Sequence, residues 1–250
     1  MNKGYVDIHA HLLYETDDGS GSIEETVKIL QALIDAGFST SYATPHNIPG
    51  NDTSLLLTKS KDKIQKISEI LEKKGIDYTL NTGAENYFDA SLNIQDPDYF
   101  IPLGDSDTFL VEIPFIGESS HQIDALHKTG RRCIIAHAER YLDIVQNPDK
   151  VTILKQAGFM VQTNVGSLIG VYGFEIMKTA NYLLKKDLID VLATDIHDIH
   201  HADIILKKGL KRLETLVHPE KILQLLKENH ASLLHTGYEK PKDKSYSNNH

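Results

Sequence analysis

Four short apolar segments, far apart in the chain, each end in side chains that can bind a metal ion. These segments are Asp7-Ile-His-Ala-His11, Thr44-Pro-His46, Ala136-His-Ala-Glu-Arg140 and Thr194-Asp-Ile-His197. In an extended strand, residues two apart point the same way, so His9 and His11 share one face while Ile8 and Ala10 take the other. Two imidazoles on one buried face cost free energy unless they bind something. The pattern predicts a cluster of divalent metal ions.

Acidic residues extend this candidate ligand set. Glu85 follows an apolar segment, Glu112 lies inside another, and Asp18 belongs to an acidic loop after the first strand, where it is favoured over its neighbour Asp17. A carboxylate in an apolar strand needs a partner. The full set is His9, His11, Asp18, His46, Glu85, Glu112, His137, Asp195 and His197. Nine ligands are too many for one ion, so we expect two or three ions. A set without thiolate suits manganese, iron or zinc in a catalytic site.

Strand-like and helix-like patterns alternate along the chain. Strands are predicted at residues 5–10, 38–43, 78–84, 108–113, 132–136, 159–163 and 188–193, and helices at 22–37, 57–74, 119–129, 151–157, 174–186, 202–217 and 219–234. Seven βα repeats predict a single α/β domain in which parallel strands close into a barrel. Sites in such barrels gather at the carboxyl ends of the strands, where the candidate ligands lie.

Composition limits the classes of function. The chain has 250 residues, of which 40% are hydrophobic, and a net charge of −9, which argues against nucleic-acid binding. No apolar run approaches the ~18 residues of a membrane span, and the N-terminus lacks a secretory pattern, so no membrane insertion is expected. The single cysteine fits a reducing, cytoplasmic compartment. We expect one domain over residues 1–237 and a flexible tail over 238–250.

The motifs occur in the order found in the PHP (polymerase and histidinol phosphatase) superfamily, which the chain resembles over about residues 4–235. It is most similar to the bacterial tyrosine-protein phosphatases of capsular and exopolysaccharide loci. The shared features include Asp17-Asp-Gly19 before a Ser-Ile-Glu-Glu helix start, and Gln162-Thr-Asn-Val-Gly-Ser-Leu-Ile-Gly170. The resemblance implies a distorted (β/α)7 barrel of the PHP fold.

The resemblance also implies how the ligands divide among three metal ions, with manganese expected. His9, His11, Glu85 and Asp195 would hold the first ion; Glu85, Glu112 and His137 the second; Asp18, His46 and His197 the third. Glu85 would bridge the first two. Asp7 is open to two interpretations: it either orients a ligand imidazole or makes a hydrogen bond in the floor of the barrel.

The implied reaction is hydrolysis of phosphotyrosine on a protein, expected to be the tail of a cytoplasmic tyrosine kinase that controls polysaccharide synthesis. Water activated by the metals would attack phosphorus without a covalent cysteine intermediate. Arg140, His46 and His197 are the predicted catalytic side chains, with Arg140 gripping the phosphate. The group that protonates the leaving phenolate is open between a water and a histidine, and a homo-oligomer is also left open.

Two departures from the superfamily pattern affect substrate binding. Many members carry an arginine shortly after the final Asp-x-His, whereas this chain has His200 and His201 there, so both are predicted to contact substrate. Asn47 follows His46 where a second histidine is often found. Neither change alters a predicted ligand.

Other chemistries were weighed against the metal centre. A cysteine-dependent phosphatase needs an arginine six positions after its thiolate, but Glu139 stands six after Cys133. A histidinol-phosphate or other small-molecule phosphatase is the main alternative, and a non-catalytic metal-binding regulatory module is a third. The remaining histidines are expected to be solvated on helix surfaces or in the tail, at His121, His127, His218, His230, His235 and His250.

Overall fold

The computed structural model describes residues 3–92 and 98–234 as an alternation of strands and helices. The strands are β1 (Tyr5–Ala10), β2 (Phe38–Ala43), β3 (His46–Asn47), β4 (Thr79–Thr82), β5 (Glu85–Tyr87), β6 (Thr108–Glu112), β7 (Arg132–Ile135), β8 (Met160–Asn164) and β9 (Val191–Ala193). The helices are α1 (Ile23–Ala36), α2 (Thr53–Lys73), α3 (Ser119–Lys128), α4 (Leu142–Gln146), α5 (Val151–Gln156), α6 (Phe174–Lys185), α7 (Ile199–Ile204), α8 (Leu210–Leu216), α9 (Pro219–Leu223) and α10 (Asn229–Leu233).

All strand pairs are parallel, in the orders β1-β2-β4 and β3-β5-β6-β7-β8-β9. β3 continues the line of β2, and β5 continues that of β4 after Gly83 and Ala84. The strand predicted at 78–84 therefore corresponds to β4, and its continuation β5 lies beyond the predicted end. When each interrupted strand is counted once, the described residues form seven strand positions, and the predicted α/β fold with parallel strands is confirmed.

Hydrogen bonds connect the segment just after β9 to the carboxyl end of β1. The Asp195 N–H donates to the His9 carbonyl at 2.8 Å, and the His11 N–H donates to the Ile196 carbonyl at 2.9 Å. The Asp7 carboxylate accepts from the N–H of Thr194 at 3.0 Å and from its hydroxyl at 2.5 Å. Of the two interpretations of Asp7, the structure shows the second, a buried bond between neighbouring strands.

The alternation predicted for β1 is interrupted. The pairing register of β1 on β2 shifts between Asp7 and Ala10, which marks a β-bulge. Ile8 therefore packs in a cluster of strand residues with Leu110 and Ile134, whereas Ala10 belongs to the larger core shared with the helices. The prediction that Ile8 and Ala10 share a face was wrong.

Local capping sets the helix starts. The Ser22 hydroxyl accepts the Glu25 N–H at 3.2 Å, and Gly37 ends α1 at a φ of 104°, so both predicted ends of this helix are confirmed. α2 begins four residues before the predicted start because Asp52 accepts the Leu55 N–H at 2.9 Å.

The C-terminal helices contain two π-helical segments, Ile205–Gly209 and Gln224–Glu228. The second contacts β1 and β9, and His230 just after it is wholly buried. The prediction of a solvated His230 was therefore wrong. His235, His250 and the tail predicted at 238–250 lie outside the described residues. Within those residues, no helix has the length and apolarity needed to cross a membrane.

We predict that His230 makes stability fall in mild acid. Burial lowers its pKa from 6.5 to about 4, so between these values the unfolded chain binds a proton that the folded chain does not. The free energy of unfolding should fall by about 2 kcal/mol between pH 7.5 and pH 5 from this group alone. Urea unfolding with chelator present should show a smaller fall for His230→Leu than for the wild type.

The exposed His121 provides the matched control. His121→Leu should keep the wild-type pH dependence of unfolding. Parallel profiles for the wild type and His230→Leu would contradict this account of His230.

Candidate metal centre

The nine predicted ligands converge at the carboxyl ends of the strands. Their ligand atoms form four overlapping groups, each with all its atoms within 4.8 Å of one another. The groups are His11, Asp18, His46 and His197; His9, His137 and Asp195; His9, His11 and Glu85; and His46, Glu85 and Glu112. Shared members make these groups one continuous cluster.

Glu85, the first residue of β5, lies at the centre of this cluster. One of its carboxylate oxygens is 2.7 Å from His137 Nε2. The other lies 3.2 Å from His9 Nε2, 3.3 Å from His11 Nε2 and 3.2 Å from His46 Nδ1. The interruption between β4 and β5 is what places this residue at the strand ends.

Asp195 and Asp18 complete the cluster on opposite sides. Asp195 Oδ1 lies 3.3 Å from His9 Nε2 and 3.6 Å from His11 Nε2. The exposed Asp18 has Oδ1 3.4 Å from His46 Nε2 and 3.6 Å from His197 Nε2. Its neighbour Asp17 instead contacts Nδ1 of His11, the ring nitrogen that faces away from Glu85, at 2.7 Å.

The orientation of the buried imidazoles fits divalent cations. His9 Nδ1 contacts Gln162 Oε1 at 3.2 Å, and His11 Nδ1 contacts Asp17 at 2.7 Å. These contacts leave both Nε2 atoms facing the carboxylates, buried and without a hydrogen-bond partner among the described residues. Metal-binding histidines are oriented in this way, with the second ring nitrogen held by a polar group.

The charged groups of the cluster shift one another's pKa values. Burial would raise the pKa of Glu85, but His9 and His11 hold it well below its usual value. Asp195 is likewise buried, yet His9 helps lower its pKa to about 2. Burial opposes charge on His9, but Glu85 and Asp195 raise its pKa to about 9. Burial, with the nearby Glu85 charge, raises the pKa of Glu112 to about 8. The carboxylates therefore need positive charge, which protons or divalent ions can supply.

Two of the candidate ligands have strained backbones. His137 has a φ of 31° and Asp195 a φ of 54°, both in the left-handed region that non-glycine residues rarely adopt. Such a conformation costs on the order of 1–3 kcal/mol and persists where surrounding bonds fix it. Here the His137 N–H donates to Gln162 Oε1 at 2.7 Å, and Asp195 is held by its bond to β1.

Sequence reasoning missed the role of Gln162 and Asn164, which lie two apart in the buried strand β8. Gln162 Oε1 contacts both His9 and the His137 N–H, while its amide donates to Asn164 at 2.7 Å. Asn164 donates in turn to Asp195 Oδ2 at 2.7 Å. The sequence signal for this role was the presence of two polar side chains on one face of a buried strand. Gln162 and Asn164 together orient three candidate ligands, which are His9, His137 and Asp195.

The predicted substrate-binding residues differ in position. Arg140 lies at the edge of the cluster, with Nη1 3.2 Å from Asp195 Oδ2. The His201 ring lies 6.0 Å from the rings of both His197 and Tyr172. His200 is exposed on α7. Of the two histidines, only His201 has a described ring contact near the site.

The cluster opens into a pocket of about 360 Å³. Its walls are Asp18, His46, Glu85, Glu112, Phe115, His137, Arg140, Tyr172, Asp195 and His197. Phe115 and Tyr172 lie in loops and carry no pattern that sequence reasoning could have detected. Cys133 does not line the pocket; it is buried in β7, and burial raises its pKa, which suits a structural thiol rather than a nucleophile.

The sequence is similar to those of two bacterial tyrosine-protein phosphatases. Tyrosine-protein phosphatase YwqE of Bacillus subtilis is 27% identical over 217 residues, which span 84% of this chain and 84% of YwqE. Tyrosine-protein phosphatase CpsB of Streptococcus pneumoniae is 29% identical, across 87% of this chain and 98% of CpsB.

The fold is also similar to those of solved structures. The first is a structure from a crystallographic study that describes YwqE and CpsB as unique metal-dependent tyrosine phosphatases. It matches this chain with a TM-score of 0.77 at 25% identity, and the match covers 94% of this chain and 97% of the solved one. The phosphotriesterase homology protein of Escherichia coli, at 13% identity and a TM-score of 0.59, covers 94% of this chain and 100% of its own, and shares the fold alone.

Fold and site together define an α/β protein with parallel strands and a candidate metal centre at their carboxyl ends. The chain belongs to the CpsB/CapC family of capsular polysaccharide synthesis, which matches residues 5–235. The family resemblance inferred from the motifs is confirmed.

We predict that Gln162→Leu weakens metal binding by about 10- to 100-fold, the usual effect of removing a group that orients a ligand. The leucine cannot hold the His9 ring or the His137 backbone. Calorimetric titration of metal-free protein with manganese measures this without any activity assay.

Thr163→Val is the matched control, because Thr163 is buried in the same strand and its hydroxyl has no hydrogen-bond partner among the described residues. It should bind manganese like the wild type. Equal affinity of Gln162→Leu and the wild type would show that Gln162 does not position the ligands.

Proposed function

We propose that this protein is a metal-dependent phosphatase that removes phosphate from tyrosine residues of a protein. The single observation that carries the proposal is a cluster in which eight other carboxylate and imidazole ligands surround Glu85, open to a pocket that the guanidinium of Arg140 also lines. Divalent ions suit the ligands, and Arg140 suits a phosphate. The named activities of YwqE and CpsB support the choice of phosphotyrosine.

The proposed ions number two or three, with manganese first and iron or zinc as alternatives. His9, His11, Glu85 and Asp195 would hold one ion; Glu85, Glu112 and His137 a second; Asp18, His46 and His197 a third. The contacts of Glu85 with four imidazoles support its bridging role. The close group of His137 with His9 and Asp195 differs from this division, in which His137 shares an ion with Glu85 and Glu112.

The metal ions and the side chains of the pocket have different roles in the proposed reaction. Bound divalent ions supply an activated water and neutralise charge on the phosphoryl oxygens. Arg140 donates N–H hydrogen bonds to those oxygens. These bonds become stronger as negative charge redistributes over the phosphoryl group in the transition state. His46 and His197 are the most exposed imidazoles of the cluster, with 30% and 24% of their side chains accessible, so they lie nearest to an entering substrate.

We propose that His201, rather than His200, binds substrate together with Arg140. The proximity of His201 to His197 and Tyr172 supports this assignment, and the exposure of His200 gives it no described partner at the site. A ring N–H of His201 would donate a hydrogen bond to the phosphate.

The proposed partner is a phosphotyrosine-bearing protein, in the first place the tail of a tyrosine kinase that regulates capsular or exopolysaccharide synthesis. The description of the family as capsular polysaccharide synthesis proteins supports this role. A kinase tail of this type places the reaction in the cytoplasm. Assembly of the protein into a homo-oligomer is compatible with the role and is not required by it.

We predict that chelator-stripped protein is inactive on a phosphotyrosyl peptide and that manganese restores turnover. His137→Ala should lose at least about 100-fold in kcat/KM, because a candidate ligand and its contact with Glu85 disappear together. Phosphate release from the peptide and from histidinol phosphate at equal concentration measures both.

Cys133→Ala is the control and should keep wild-type turnover. Activity that persists after complete metal removal, or that depends on Cys133, would contradict the metal mechanism. Preference for histidinol phosphate would replace the protein substrate with a small molecule.

A further inference from the structure

Two aromatic side chains of the pocket have no role in the proposed reaction. Seven of its ten lining residues are candidate ligands, and Arg140 is assigned to phosphate. The remaining two are Phe115, after β6, and Tyr172, before α6. Apart from Arg140, the walls above the cluster are therefore aromatic.

Phe115 and Tyr172 flank the Arg140 guanidinium. Its central carbon lies 4.7 Å from the Phe115 ring centre and 4.6 Å from the Tyr172 ring centre, within the range of cation–π attraction. The Tyr172 hydroxyl also lies 3.3 Å from Asp195 Oδ2. The two rings hold the arginine beside the cluster, and both residues line the pocket.

Phe115, Arg140 and Tyr172 form a trio in the pocket wall. An exposed apolar residue follows each member of this trio, one or two positions later in the chain. These are Ile116, Leu142 and Phe174, with 79%, 42% and 65% of their surface accessible. We call them the apolar rim. The Leu142 N–H donates to the Phe115 carbonyl at 2.9 Å, and α6, which begins at Phe174, packs on α4 and on the Ala138–Arg140 turn. The rim residues therefore lie on the segments that carry the wall of the pocket.

We propose that the apolar rim binds the polypeptide that carries the phosphotyrosine, by contacting an apolar residue next to it, while the tyrosyl ring lies against Phe115 and Tyr172. This inference rests on the proposed function. A small phosphate ester fits within a pocket of about 360 Å³ and has no atoms to cover side chains that point outward from it. A polypeptide enters the pocket and continues across the rim. Exposed apolar surface beside a site is typical of such contacts.

The test compares a small aryl phosphate with two peptides. The substrates are p-nitrophenyl phosphate and phosphotyrosyl peptides with either leucine or serine on both sides of the phosphotyrosine. The wild type should prefer the leucine peptide. In Ile116→Ser and Phe174→Ser, KM for this peptide should rise about tenfold, as expected from losing one apolar contact, with kcat unchanged. Hydrolysis of p-nitrophenyl phosphate should stay at the wild-type rate.

Leu92→Ser is the matched control. Leu92 is a comparably exposed apolar residue, at 50%, in the Ala90–Leu92 turn that packs on α3, outside the trio. Its substitution should leave all three substrates unaffected.

The outcomes separate this inference from the proposed function. No metal-dependent hydrolysis of p-nitrophenyl phosphate by the wild type would overturn the proposed function and the inference with it. Normal hydrolysis of that ester with equal KM for the leucine peptide in all variants would overturn the inference alone. So would a wild-type dimer that Phe174→Ser converts to a monomer without changing peptide kinetics, because the rim would then bind a second copy of this chain.

Discussion

The buried carboxylate of Glu85 is the constraint on which the rest of the structure depends. Its side chain is almost wholly inaccessible, and four imidazole nitrogens lie within 3.3 Å of its oxygens. A buried carboxylate is costly unless positive charge or hydrogen bonds surround it. The imidazoles come from β1 and the residue just after it, from β3 and from the segment just after β7, so the ends of these strands must lie close together. Parallel strands in register satisfy that requirement.

The bonds that fix this arrangement are polar and connect distant parts of the chain. Asp7 joins β1 to Thr194, and burial raises the pKa of its carboxyl to about 6. Gln162 and Asn164 extend the same support to His9, to His137 and to Asp195. Two of these ligands have left-handed backbones that unsupported residues would not keep. The scaffold thus imposes a ligand arrangement that the local sequence alone would not adopt.

The sequence could predict the features that depend on local residue patterns, but not those that depend on contacts between distant parts of the chain. Period-two spacing was enough to predict that His9 and His11 lie together, and the capping pattern was enough to predict that α1 begins directly after Ser22. They could not reveal the bulge in β1 or the break before Glu85, because both depend on contacts with distant strands. His230 was misplaced since a π-helical turn adds a residue and rotates the next ones away from the α-helical period. Phe115 and Tyr172 lie in loops, where no periodicity marks a side chain that turns inward.

The measurement that tests the central claim most directly is the number of divalent ions bound per chain, determined by elemental analysis after manganese loading and removal of excess metal. The account predicts two or three ions in the wild type. Glu85→Ala should lose at least one of them, since this carboxylate is proposed to join two ions. One ion or none in a folded wild-type protein, or an unchanged number in Glu85→Ala, would contradict a shared metal centre built around Glu85.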